Sequence, residues 1–144
     1  MKKIGLCAAL GAALAVLAHM HVVSQRYYPV VQVAMPDGLT FTALQDELDE
    51  RPACNEANER FLLPVKTACK DCRVIAARCE RVPTRDEESA FREHESGYVV
   101  IAPGMRLGIR GPEDAARANC DFLASDMLSR GYRDAACLPP RPAS

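Results

Sequence analysis

Apolar positions along this 144-residue chain are spaced in four ways, and each spacing predicts an element. Residues 4–18, "IGLCAALGAALAVLA", form an unbroken apolar run of fifteen without a charge. Residues 29–35, "PVVQVAM", are short and β-branched, and Pro36-Asp37-Gly38 is a turn signal, so this stretch predicts a strand. In "TALQDELDER" (42–51), Thr42-x-x-Gln45 is a capping box and Leu44 and Leu48 stand four apart, predicting a helix stopped by Pro52. "CNEANERFL" places Cys54, Ala57 and Phe61 on one helical face, predicting a brief helix ended by Pro64. Residues 71–82 fit two patterns: alternation allows a strand, and Asp71 as N-cap with Cys72, Ala76 and Cys79 on one face allows a helix.

The C-terminal part reads more simply. "YVVIA" and "MRLGIR" are two strands around Pro103-Gly104, the second alternating Met105, Leu107 and Ile109 against Arg106, Gly108 and Arg110. Pro112 opens a helix, and Glu113 and Asp114 complement its dipole. Ala116, Cys120, Leu123, Ala124, Met127 and Leu128 form its apolar stripe, and Arg130-Gly131 close it. "YRDAACL" is a last strand. The division that follows is a leader or anchor over 1–25, a cysteine-rich α+β part over 29–82, a charged linker over 83–97, a β-β-α-β part over 98–138 and a tail over 139–144. No long internal sequence repeat is visible. The expected fold is a small disulfide-stapled α+β domain, with a sheet on one side and helices on the other.

Lys2 and Lys3 before the apolar run give it the layout of an export signal. Val16-x-Ala18 satisfies a small-residue cleavage rule. The uncharged stretch nevertheless continues through His19-Met20-His21 to Val23 and Gln25, long enough for a short transmembrane helix, which favours an uncleaved anchor over a signal peptide. Lysines before it and a single Arg26 after it place the domain outside. The expected location is the inner membrane facing the periplasm, with the membrane contacted through residues 4–23, or the periplasm itself if the leader is cut.

Charge and composition remove some function classes. After residue 23 sixteen basic residues face nineteen acidic ones, a formal charge of −3, and there is no Trp. No nucleic-acid partner is expected from such a surface. His94 is the only histidine in the folded part and lies in the charged linker, so triad chemistry lacks material. His19-x-His21 marks the end of the apolar run. Glu87-Glu88 lies in a polar stretch, and in "GIRGPEDA" the acids after the helix start oppose an anion. No cofactor is expected.

The cysteines carry the remaining chemistry. Beyond Cys7, which is a small residue of the leader, there are six: Cys54, Cys69, Cys72, Cys79, Cys120 and Cys137. An even number in an exported chain predicts disulfides. Bonded Cα atoms lie about 4.4–6.8 Å apart, whereas the seven steps from Cys72 to Cys79 span about 23 Å as a strand or about 10.5 Å as a helix. Cys79 is therefore expected to pair with Cys54 or with one of the C-terminal cysteines. Cys120, on the buried helix face, and Cys137, on the neighbouring strand, form the natural bridge between helix and sheet. If Cys54 pairs with Cys79, Cys69 and Cys72 are left together. Zinc held by Cys54, Cys69, Cys72 and Cys79 is a third option, disfavoured by oxidation and by the absence of a second CxxC; no metal is expected.

The pair in "TACKDC" (67–72) sits in an order of strand, helix, apolar "FLLPV", CxxC, possible helix, two strands and helix, which resembles the thioredoxin succession over residues 30–130. That resemblance implies a CxxC at a helix N-terminus, with Cys69 as nucleophile and Cys72 as resolving thiol. The chain departs from it in having no aromatic before Cys69 and in placing Pro103 between the last two strands. A second resemblance is carried by "MRLGIRGPEDAARANCDFLASDMLSRGYRDAACL", which looks like the second half of SPOR-type domains; "VVQVAM…ALQDEL" is similar to the first half of their βαββαβ fold. That family implies a module at the end of a membrane-anchored envelope protein that binds peptidoglycan glycan strands on its sheet. The cysteine-rich stretch 54–79 is extra to that pattern, and the aromatic after Gly-Pro is missing. The function expected from these readings is a non-enzymatic envelope module that binds a glycan or an envelope protein partner in cell-wall or surface-polysaccharide assembly. The alternative is a membrane-tethered thiol-disulfide oxidoreductase.

Overall fold

A computed structural model describes residues 26–81 and 97–140. The apolar run 4–18 and most of the charged linker lie outside the described residues. Six strands and two helices follow in the order β1 (Tyr28–Ala34), β2 (Thr40–Gln45), α1 (Arg51–Ala68), β3 (Arg73–Glu80), β4 (Tyr98–Ala102), β5 (Met105–Arg110), α2 (Glu113–Ser129) and β6 (Ala136–Leu138). The strands make one antiparallel sheet in the order β3-β1-β2-β5-β4-β6. The cysteine-rich part and the β-β-α-β part thus share a sheet, joined where β2 pairs with β5 from Thr40↔Arg110 to Gln45↔Met105.

The order hides a duplication. Each half is a hairpin, a helix and a third strand that pairs with the outer side of the hairpin's first strand: β3-β1-β2 in one, β6-β4-β5 in the other. Both hairpins turn through a glycine at positive φ, Gly38 at 87° and Gly104 at 78°, where a Cβ would be strained. Both halves bridge helix to third strand by a disulfide, Cys54–Cys79 and Cys120–Cys137. Val31 and Val100, paired with Ala43 and Leu107, are fully buried at matching register positions. The two halves meet about an approximate twofold axis between β2 and β5.

Several sequence expectations change here. Residues 42–51 are not a helix. Thr40, Phe41 and Thr42 favour a pleated strand, and pairing on both sides with β1 and β5 outweighs a capping box that offers only local bonds. Asp37 Oδ1 accepts from Leu39 N at 3.1 Å, fixing the turn that sends the chain back along β1. Pro52, expected as a stop, stands in the first turn of α1, where its missing N–H costs nothing. Pro64, expected as the end, lies inside an 18-residue helix. Residues 73–80 form a strand whose register slips between Gln32 and Val33 of its partner. The last strand is confined to Ala136–Leu138, because Tyr132 to Asp134 belong to the turn after α2. There Gly131 N bonds Leu128 O and Tyr132 N bonds Met127 O, the paired bonds of a Schellman closure.

Both helices lie on one face of the sheet. The core beneath them is Val31, Val33, Leu39, Ala43, Val100, Leu107 and Ile109 from the sheet, Leu62 from α1, and Ala116, Cys120 and Ala124 from α2. α1 packs on β1 and β3, and α2 on β4, β5 and β6. The buried Asn58 of α1 donates through Nδ2 to Arg78 O at 2.9 Å, a second fastening of that helix beside the Cys54–Cys79 bridge. The other face carries Gln32, Thr42, Leu44, Ile101 and Arg106, the alternate positions of the same strands.

Candidate functional site

The helices lie over separate halves of the sheet, and between them a gap is left above part of the central strands, at Phe41 of β2 and Met105 and Leu107 of β5. The result is an open groove of about 480 Å³. Its floor is Val33, Met35, Phe41, Met105 and Leu107; one wall is Phe61, Val65, Ala68 and Cys69 of α1 and the residue after it, the other Asn119, Phe122, Leu123 and Met127 of α2. The spacing of Phe61, Val65 and Ala68 along α1, and of Asn119, Leu123 and Met127 along α2, turns a continuous stripe of each helix toward the gap. Asn119, the polar residue of the lining, donates its side-chain amide to Ala115 O at 2.9 Å within its own helix.

The lining has a distinctive composition. Among the described residues every phenylalanine (Phe41, Phe61, Phe122) and every methionine (Met35, Met105, Met127) lines this groove. The core proper is built from Val, Leu, Ile, Ala and Cys, with Tyr98. Phe122 is 67% exposed at the rim. Unbranched methionine chains reshape easily, so a groove rich in them accepts apolar ligands of varied contour. Sequence reading missed this site, because its residues are scattered from 33 to 127 and only the topology gathers them.

The cysteines predicted to do chemistry are found in three bridges: Cys54–Cys79, Cys69–Cys72 and Cys120–Cys137. The four cysteines weighed as a zinc set are therefore divided between two disulfides. Cys69 and Cys72 close a loop across Lys70 and Asp71 at the groove's end, and Cys72 Sγ lies 3.0 Å from Met35 Sδ. Cys69 is the C-cap of α1, its N–H bonded to Val65 O at 2.9 Å, and Cys72 leads into β3. The helix end that faces this pair is the negative one. The thioredoxin order requires the positive end, whose N–H groups stabilise a thiolate.

A second concavity, of about 730 Å³, opens where Tyr28, Asp46, Glu47 and Arg106 meet at the end of the sheet where the described chain begins. Tyr28 OH donates to Glu47 Oε2 at 2.8 Å, and Arg26 pairs with the same carboxylate. Gln45, which also lines it, keeps its side-chain Nε2 buried with no hydrogen-bond partner among the described residues. Among the described residues no cluster of three or more His, Cys, Asp or Glu has metal-binding geometry, and no helix is long and apolar enough to cross a membrane. Comparisons of the chain with protein families, with curated proteins and with solved structures found no match.

Proposed function

We propose that this protein is an exported, non-enzymatic envelope module, held at the inner membrane facing the periplasm by its N-terminal segment, that binds a protein partner through the groove between α1 and α2. The observation that carries this reading is the collection of all described Phe and Met side chains in one open gap that the fold does not fill. A glycan presents hydroxyls on every edge and needs donors and acceptors, which this lining lacks; an amphipathic helix presents an apolar ridge and needs none. Of the two partner classes expected from the sequence, the groove favours the protein.

Position 63 supplies an internal control, since Leu63 on the outer side of α1 is 69% exposed, as open as Phe122, yet does not line the groove. A photo-crosslinking amino acid placed at position 122 in the envelope is expected to give a protein adduct that the same residue at position 63 does not give. Leu123→Asp should abolish the adduct, because a carboxylate in the groove has no partner, while the half-buried site keeps the loss of stability to about 1–2 kcal/mol. Equal adducts from 63 and 122, or an adduct indifferent to Leu123→Asp, would remove the proposal.

One observation favours a second reading, that of a tethered thiol-disulfide oxidoreductase: Cys69 and Cys72 are bonded to each other rather than to distant partners. Against it stands their place at the C-terminal end of a helix.

A further inference from the structure

Away from the groove, the second concavity carries two opposite charges that the fold leaves without partners. We propose that it is a site for a free α-amino acid with an apolar side chain, whose carboxylate is taken by Arg106 and whose ammonium is taken by Asp46. The site shares only Met105 with the groove, and it stands whether or not the groove holds a partner.

Three observations carry the proposal. The first is placement. Pairing of β2, β5 and β4 sets Leu44, Arg106 and Ile101 in one row across the sheet, on the face away from the helices. Asp46 stands two positions beyond Leu44, held beside the β4–β5 turn by its N–H bond to Gly104 O at 2.9 Å. A side chain two positions past the cross-strand partner is a diagonal neighbour, about 7–8 Å away. A guanidinium can cross that distance to a carboxylate, yet among the described residues neither the Arg106 nor the Asp46 side chain forms a hydrogen bond or ion pair. Glu47 beside them is already held by Tyr28 OH and Arg26.

The second is fit. An α-amino acid carries both charged groups on one carbon, so a single molecule between Arg106 and Asp46 neutralises both. Arg106 offers a carboxylate two parallel N–H donors. Leu44, Ile101 and Met105 line the same space and receive an apolar side chain. A simple anion or cation would satisfy one charge and face the other.

The third is Gln45. The duplication that equates Ala43 with Leu107 also equates Gln45 with Ile109, which has no exposed surface. Where the other half has that isoleucine, this half has an amide whose Nε2 is buried without a partner, an unfavourable arrangement until an acceptor arrives. Gln45 lines the concavity, and a ligand carboxylate held by Arg106 is the acceptor that a half-turn of the amide brings within reach.

The test uses the full chain, labelled with nitrogen-15, in neutral maltoside detergent, with leucine, methionine and phenylalanine as probes. Each is added to about 20 mM, well above the roughly 1 mM dissociation constant expected of so small a ligand. Saturable shifts are expected at the side-chain N–H signals of Arg106 and Gln45. Leucinamide, which lacks the carboxylate, and 4-methylpentanoate, which lacks the ammonium, should bind about tenfold more weakly. Arg106→Gln and Asp46→Asn should each weaken leucine by a similar factor, and both positions are exposed, so the fold is retained. Arg133→Gln, exposed and outside the concavity, should change nothing. The proposal is overturned if none of the three amino acids gives a saturable shift at Arg106 and Gln45. It is equally overturned if the one-charge probes bind as well as leucine, or if Arg133→Gln weakens binding as much as Arg106→Gln.

Discussion

Replacing Cys54 and Cys79 together by alanine is expected to cost about 3.5 kcal/mol of unfolding free energy, the chain-entropy value for their loop, whose ends are 25 residues apart in sequence. The same logic gives about 3.1 kcal/mol for Cys120 and Cys137 and about 1.6 kcal/mol for Cys69 and Cys72, at separations of 17 and 3. Cys54 and Cys120 are also fully buried, so truncating them adds a small packing loss to the first two figures. Only the two long bridges tie a helix to the edge strand of its own half, β3 or β6. A drop in melting temperature of about 15 °C is expected for the Cys54/Cys79 variant and about half that for Cys69/Cys72. Thermal unfolding of the three double variants under oxidising conditions checks the ranking. If the Cys69/Cys72 variant lost as much as the others, that short loop would be organising more of the fold than the end of α1.

The second large effect belongs to the core. Ile109 has no exposed surface and lies in the middle of the sheet, opposite Phe41 on one side and Tyr98 on the other. Ile109→Ala removes buried methyl groups from a place where neither strand can collapse inward, and is expected to cost about 3–4 kcal/mol. Phe122→Ala deletes a larger side chain but an exposed one, and should stay within about 0.5 kcal/mol of the parent protein. Urea unfolding distinguishes the two, with the midpoint moved for Ile109→Ala and the slope unchanged. A Phe122→Ala variant as unstable as Ile109→Ala would mean that the groove is part of the packed core rather than an open site.

That contrast explains how much was legible in the sequence. The C-terminal half reads correctly where its local signals agree: Met105, Leu107 and Ile109 alternate, Pro103-Gly104 turns, Pro112 starts a helix and Gly131 ends it. In the N-terminal half they conflict. Thr42-x-x-Gln45 and the Leu44–Leu48 spacing favour a helix locally, yet β2 is a central strand whose partners lie on β1 and on β5, the latter sixty to seventy residues along the chain. Proline misleads twice at α1, because the same residue that ends a helix also suits its first turn, and because packing of Cys54, Asn58 and Leu62 carries the helix through Pro64. The ambiguity over residues 71–82 has its cause in the slip of register opposite Gln32 and Val33, which leaves Ile75 exposed and breaks the alternation.

The internal duplication escaped notice because its halves share positions rather than residues: a buried valine pair, a turn glycine and a helix-to-strand bridge, separated by loops of different length. The groove escaped for a related reason. Each Phe and Met looks like ordinary core material beside its sequence neighbours, and only the sheet order, which sets β2 against β5 and parts the helices, reveals that these six side chains face a gap. The cysteines were more transparent, since strand and helix rise alone prevent Cys72 from reaching Cys79.

The proposed binding module recognises a partner in its groove and uses the Cys69–Cys72 bridge as scaffold. The measurement that bears on this most directly is mixed-disulfide trapping with Cys72→Ser in the protein's own compartment, read on non-reducing gels. The expected result is a folded monomer with Cys54–Cys79 and Cys120–Cys137 intact and no reductant-sensitive adducts to other proteins. A ladder of adducts through Cys69, dissolved by dithiothreitol and absent from the Cys69→Ser, Cys72→Ser double variant, would contradict it and make the pair a redox centre.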